Sequence, residues 1–185
     1  LPFRSGDRLK FRCLAGLQAG VLGGLAMLLY LSLDAILHRQ RWLTPEVLLS
    51  TAVYGNSVIW HASAKAVLAG VSVQLVAAGL AGALCGYVFE WIRGDGLTAL
   101  FTGLGFAFGW YLFWHFLLLP KVAPLVAAYA SRESAIAAHL LLGLMLSRIP
   151  NFYGQIRPAG RLAEAHEPPA PLPAAATFDQ PSDAA

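Results

Sequence analysis

Charged side chains are scarce in this chain, at 12% of 185 residues, where an ordinary soluble domain carries about 25%. The few that occur gather at the ends of apolar runs, so a 57% hydrophobic composition has no charged surface to hold it in water. Cysteine occurs only at Cys13 and Cys85, both in or beside apolar runs. That excludes a disulfide framework and a cysteine zinc motif, and leaves the two thiols as small packing residues. Lys/Arg clusters interleaved with exposed aromatics are also missing, so the net charge of +3 comes from the flanks and nucleic acid is excluded as a partner. There is no phosphate-binding glycine loop, no Ser/His/Asp signature, and no helix bearing two histidines and an acid in a metalloprotease arrangement. No span contains a central proline of the kind that interrupts transporter helices.

What remains is long apolar segments with charged punctuation. The pattern predicts an all-α polytopic membrane protein, a four-transmembrane-helix bundle with spans over about 13–36, 66–91, 98–119 and 133–149. Each span is long enough, at about 1.5 Å per residue, to cross most or all of about 30 Å of hydrocarbon. Residues 1–12 read as a basic juxtamembrane terminus and surface anchor, and residues 150–185 as a Pro/Ala-rich tail that cannot bury a core of its own. Such a tail is expected to lie along another subunit. With the amino terminus inside, Arg4, Arg8, Lys10, Arg12, Arg93, Arg148, Arg157 and Arg161 fall on the inner side, against Arg39, Arg41, Lys65, Lys121 and Arg132 outside. This bias predicts both termini in the cytoplasm of a bacterial inner membrane.

Small residues recur every four positions on each span, which lets helix backbones approach closely. The predicted packing residues are Gly16, Gly20 and Gly24 on the first span, Gly79, Gly82 and Gly86 on the second, Gly105 and Gly109 on the third, and Gly143 on the fourth. Gln74 is the one strongly polar residue inside the second span and should face protein, because an unpaired amide in hydrocarbon is costly. Asp34 is expected at the headgroup level and solvated, and Glu90 to be satisfied by water or Arg93. In the long first connection, Thr44, Pro45 and Glu46 read as an N-cap, a proline at the first helical position and a first-turn acid, predicting a short interfacial helix. Tyr54, Gly55, Asn56 and Ser57 read as a turn.

His115 and His139 stand twelve residues on either side of the midpoint between the third and fourth spans, hence at similar depth. Intramembrane ionisable residues are functional candidates by default, so these two are the candidate cofactor ligands, for haem b or a chlorophyll-type pigment. Haem ligation on both faces requires more separation than directly packed helices provide, about 8–10 Å between axes. His115 also lies roughly 80° around the helix from Gly105 and Gly109, so the rings need not point at each other. His139 shares a small-residue face with Ala135, Gly143 and Ser147. The aromatic outer half of the third span (Phe106, Phe108, Trp110, Tyr111, Phe113, Trp114) exceeds an interfacial belt and is suited to a partner, lipid tails or a pigment.

Together these features lead to the expectation of a non-catalytic accessory subunit of a larger, energy-transducing membrane complex. It would contact lipids, and other membrane subunits through its glycine-rich and aromatic faces and its tail. The alternatives are a haem- or chlorophyll-binding subunit and a small oligomeric transporter with Gln74 on its path.

Overall fold

The computed structural model describes residues 5–60, 63–92, 96–129 and 131–156. It is all-helical: α1 (Ser5–Leu37), α2 (Thr44–Tyr54), a 3-10 turn over Asn56–Ile59, α3 (Ala64–Trp91), α4 (Gly96–Leu112), a π segment over Phe113–Leu118, then α5 (Leu119–Val122), α6 (Pro124–Tyr129) and α7 (Arg132–Leu146). Four continuous helical stretches, Arg8–Leu37, Ala64–Trp91, Gly96–Val122 and Arg132–Ile156, are long and apolar enough to span a bilayer. The chain is an integral membrane protein with the four-helix architecture that its hydropathy predicts. Of the predicted tail, residues 150–156 continue the fourth helical stretch, while 157–185, like Arg93, His61 and His166, lie outside the described residues.

Several boundaries move. Helix α1 already begins at Ser5, so the basic stretch through Arg12 extends the first span instead of lying on the membrane surface as a separate anchor. The third span runs on through Pro120 to Val122, and the fourth continues beyond Ile149 to Ile156. Thr44 is the first residue of α2 and not its cap, and Leu43 precedes it with no side-chain hydrogen bond. Ser63 and Ser131 do cap α3 and α7, accepting from Ala66 N at 3.3 Å and Ser134 N at 3.1 Å. Helix α1 ends where Arg39 enters the left-handed region, at φ 58°, and Gln40 N donates back to Ala35 O at 2.8 Å. That bond caps a carbonyl which the helix itself cannot reach.

The bundle is built outward from α1. On one side α1 packs along α3, on the other along α7, and α4 packs against α7. The α1–α3 contact is backbone on backbone: a Cβ on Gly16 or Gly20 would collide with the carbonyls of Gly82 or Ala78, and one on Gly82 or Gly86 with those of Gly16 or Arg12. Gly24 and Gly79 are packed by side chains, Ala78 Cβ and Leu17 Cδ1 respectively. Gly143 seats against Leu104 of α4. Among the described residues the predicted stripe on α4 meets no neighbouring helix. Gly105 and Gly109 have no atom of the described residues within 4 Å of a built Cβ. The close contact belongs to Gly103, whose Cβ would meet Gly143 O and Ser147 N at 2.6 Å. Helix α4 carries two small-residue stripes, and the buried one is Ala99, Gly103, Ala107 and Tyr111.

At the end of the bundle opposite Ser5, α2 lies across α1 and α3, and Gly70 of α3 admits the backbone of Glu46. Here Glu46 is only 2% exposed. Ser32 Oγ donates to Glu46 Oε1 at 3.0 Å, while Oε2 has no hydrogen-bond partner among the described residues. Burial raises this carboxyl above its ordinary value of 4.5, against the smaller lowering effects of its own backbone N–H and of Ser32.

Two predictions follow from this packing. Gly82→Leu should lower stability by about 3 kcal/mol or more, because two backbones must separate. Gly105→Leu, on the open stripe, should stay within about 0.5 kcal/mol of the parent; unfolding in mixed micelles measures both. For Glu46, the folded state binds the proton more tightly than the unfolded one. Stability should therefore be highest below pH 4.5 and fall as pH rises through the window between that value and the raised folded one, then level off. Glu46→Gln should remove this slope in a melting-temperature series against pH.

Candidate functional site

The histidines meet at the α2-covered end of the bundle. His139 is 9% exposed and donates Nδ1–H to Ala135 O at 2.8 Å, one turn back on its own helix. His115 follows Tyr111 by one step of four, continuing the buried stripe of α4 toward Leu119. Tyr111 is the contact of both: its ring centroid is 5.3 Å from each, stacked on His115 at 20° and edge-on to His139 at 66°. The two histidines, expected at similar depth, thus share one tyrosine contact, and their rings meet it at different angles.

Two causes bring His115 in. The bundle-facing stripe of α4 is the one that His115 extends, not the Gly105 and Gly109 stripe. In addition, α4 widens over Phe113–Leu118, where Leu119 N reaches Trp114 O, five residues back. Pro120 follows directly. It has no N–H for the carbonyl of Phe116, and its ring crowds that carbonyl, so the turn before it opens. The wider turn rotates more slowly around the axis than an α-turn and carries the side chains beyond it toward α2 and α6.

Both histidines line a cavity of about 170 Å³, closed by α1, α2, α3, α6 and α7. Its apolar walls include Met27, Leu31, Leu48, Leu119 and Ala138. Its polar groups are sparse and mostly anchored. Asp34 is not simply solvated as expected: Ser134 Oγ donates to its Oδ2 at 2.8 Å, tying α1 to α7 across one hundred residues of sequence. His38 donates Nδ1–H to Asp34 O at 2.9 Å, and that nitrogen lies 3.5 Å from Asp34 Oδ1. Gln74 faces protein as predicted, directing its amide nitrogen at Met27 Sδ, 3.4 Å away. Tyr111 is 2% exposed, and its hydroxyl has no partner among the described residues.

A tetrapyrrole does not fit this site. Helices α4 and α7 touch backbone to backbone at Gly103 and Gly143, one turn from His139, and both rings pack on Tyr111 instead of facing each other across an opening. The cavity volume is also below the roughly 300–1,000 Å³ of pockets that hold drug-sized ligands, and a haem is larger than those. Among the described residues no group of three His, Cys, Asp or Glu is placed to hold a metal ion.

Asp34 and Tyr111 are the members that sequence reasoning missed, and Glu46 is a buried acid outside the cavity lining. For Tyr111 a signal existed, since Ala99, Gly103, Ala107, Tyr111, His115 and Leu119 form an unbroken series of four-residue steps. Asp34 and Glu46 sit at helix ends, where exposure is the normal expectation.

At the opposite end of the bundle Arg12 draws three elements together. Its Nη1 donates to Phe89 O, its Nε lies 2.9 Å from Glu90 Oε2, and its guanidinium sits 5.2 Å from the Tyr153 ring centroid. Arg12 is thus a partner of Glu90 that the sequence did not suggest, and the expected Arg93 lies outside the described residues. Its side chain is 26% exposed and that of Glu90 33%, so the pair contributes less than a buried one.

Removing the Asp34–Ser134 bridge tests how the cavity is held. Ser134→Ala should cost about 1.5 kcal/mol, the range for a hydrogen bond to a charged acceptor, and should speed amide exchange at the start of α7 before it affects the α1–α3 contact. Comparison with family models, with curated proteins and with solved structures finds no match to this chain.

Proposed function

We propose that this protein is a non-catalytic integral-membrane subunit that assembles with another membrane protein through the outward face of α4. The observation that supports this reading is the open glycine pair, Gly105 and Gly109, among exposed Phe101, Phe108, Phe113 and Phe116. Elsewhere in the spans, glycines four apart are covered by a neighbouring helix. The exposed face of α1, by contrast, is the plain leucine surface that suits lipid: Leu14, Leu22, Leu25, Leu29 and Leu33.

Association in a bilayer has little hydrophobic drive, because lipid tails are as apolar as leucine. It comes from close van der Waals packing, and a bare backbone strip flanked by flat rings gives a second helix both close approach and large contact area. The partner is expected to present a small-residue or aliphatic helix face. An energy-transducing complex remains the kind of assembly in view, on the sequence expectation of an accessory subunit.

The test is native electrophoresis and cross-linking of the full chain extracted from its own membrane in mild detergent. The parent should migrate in a complex well above the mass of one chain. Gly105→Leu with Gly109→Leu should shift it to the single-chain position while its unfolding midpoint stays within about 2 °C. A parent that already migrates as a single chain, or a double variant that keeps the complex, defeats the proposal.

A further inference from the structure

The α2-covered cavity is a separate feature, on the other side of α4 from the partner face. Its polar lining is mixed: Gln40, Thr44, Tyr129 and Ser131 can donate as well as accept, and Asp34 is its one carboxylate. A carbonyl oxygen can only accept, so the bond from His139 Nδ1 to Ala135 O places the proton on Nδ1. The bond from His38 Nδ1 to Asp34 O does the same. A neutral imidazole that donates through Nδ1 presents Nε2 as an acceptor. Ser134 has its hydroxyl proton engaged by Asp34. The Asp34 carboxylate has about four lone-pair positions, and one Ser134 bond does not fill them. Among the described lining residues there is no lysine or arginine to neutralise it.

The cavity therefore offers one carboxylate with no basic side chain among its described lining, donors and acceptors around it, and apolar walls that include Trp114. An anion would meet only repulsion from Asp34. A neutral ligand would gain nothing from the Asp34 charge. A protonated amine matches the carboxylate and the apolar walls: it can donate to Asp34 and to an imidazole Nε2, and a cation is attracted to an indole ring such as that of Trp114. Size narrows the class. A protein cavity of about 150 Å³ holds benzene, so about 170 Å³ admits one ring or a short branched chain, with the ammonium group at the polar end.

We infer that this cavity is a binding site for a small lipophilic amine, with Asp34 as its counter-ion, His139 as a neutral acceptor and the Met27, Leu31 and Leu119 wall holding its apolar body. The site does not depend on the α4 partner, and neither test bears on the other.

The experiment is equilibrium dialysis of the full chain in detergent micelles, with empty micelles as the control, against three probes of one shape: 2-phenylethylamine, 2-phenylethanol and phenylacetate. Saturable binding of one amine per chain is expected, at least about ten-fold tighter than the alcohol and tighter still than the acid. Asp34→Asn keeps an oxygen for Ser134, and should bring amine affinity down to that of the alcohol while Glu133→Gln leaves it unchanged. If amine and alcohol bind alike, if the acid binds best, or if all three only partition as into empty micelles, the inference is wrong. A folded Asp34→Asn protein that keeps the amine preference overturns it as well. Should that variant not fold, the charge series on the unsubstituted protein still decides.

Discussion

The approach of α1 to α3 with nothing between their backbones is the constraint on which the rest depends. Gly16 and Gly20 take the carbonyls of Gly82 and Ala78, and Gly86 takes that of Arg12. Two helices held at that distance share a long van der Waals seam, which is the main source of helix association where water is absent. The seam also fixes rotation: with its glycine face on α3, α1 must turn Gly23 and Met27 toward α7 and the bundle interior. Asp34, two turns further on, then arrives opposite Ser134. The counter-ion of the cavity is thus placed by glycines about three to five turns away.

The arrangement is an arc and not a closed square. Helix α1 contacts α3 and α7, α7 contacts α4, and α3 meets α4 only sparingly. An arc leaves an interior that side chains must fill, and they do not fill it completely. At one end α2, α5 and α6 close over a space walled by aliphatic residues and tipped by Asp34, His38, His139 and Gln74. At the other end the Arg12 guanidinium joins α1, α3 and the last turns of the fourth span. The Arg12 end is thus tied by an ion pair, with a second cavity of about 290 Å³ beside it, lined by Phe89, Ala99, Ile149 and Tyr153.

Much of this was legible in the chain because it is local. Four spans follow from length and hydropathy, the α1–α3 seam from glycines repeating every four residues, and the inward turn of Gln74 from the cost of an amide in hydrocarbon. The errors arise where two local readings compete or where the partner is remote. Helix α4 carries one stripe through Gly105 and Gly109 and another through Ala99, Gly103 and Ala107, and periodicity alone does not choose between them. The choice is made by Gly143 and Ser147 on α7. The angle of His115 follows from the stripe that α7 selects and from the π turn ahead of Pro120, where helical-wheel reasoning at 3.6 residues per turn no longer applies. Asp34 was read as solvated because its serine partner is one hundred residues away. Glu46 was read as an ordinary first-turn acid because nothing nearby in sequence shows that Gly70 lets its backbone sink in.

That last contact bears on how the protein is made. Helix α2 has eleven residues, about 16 Å at about 1.5 Å per residue, and is too short to insert as a span. Its carboxyl enters a dry environment only beside Ser32, and its backbone only in the notch at Gly70, which belongs to a helix synthesised after it. The segment must wait at the membrane surface until α3 has been inserted and paired with α1. It then docks as a late step in biogenesis, so the α2-covered end of the bundle is roofed after its walls are standing.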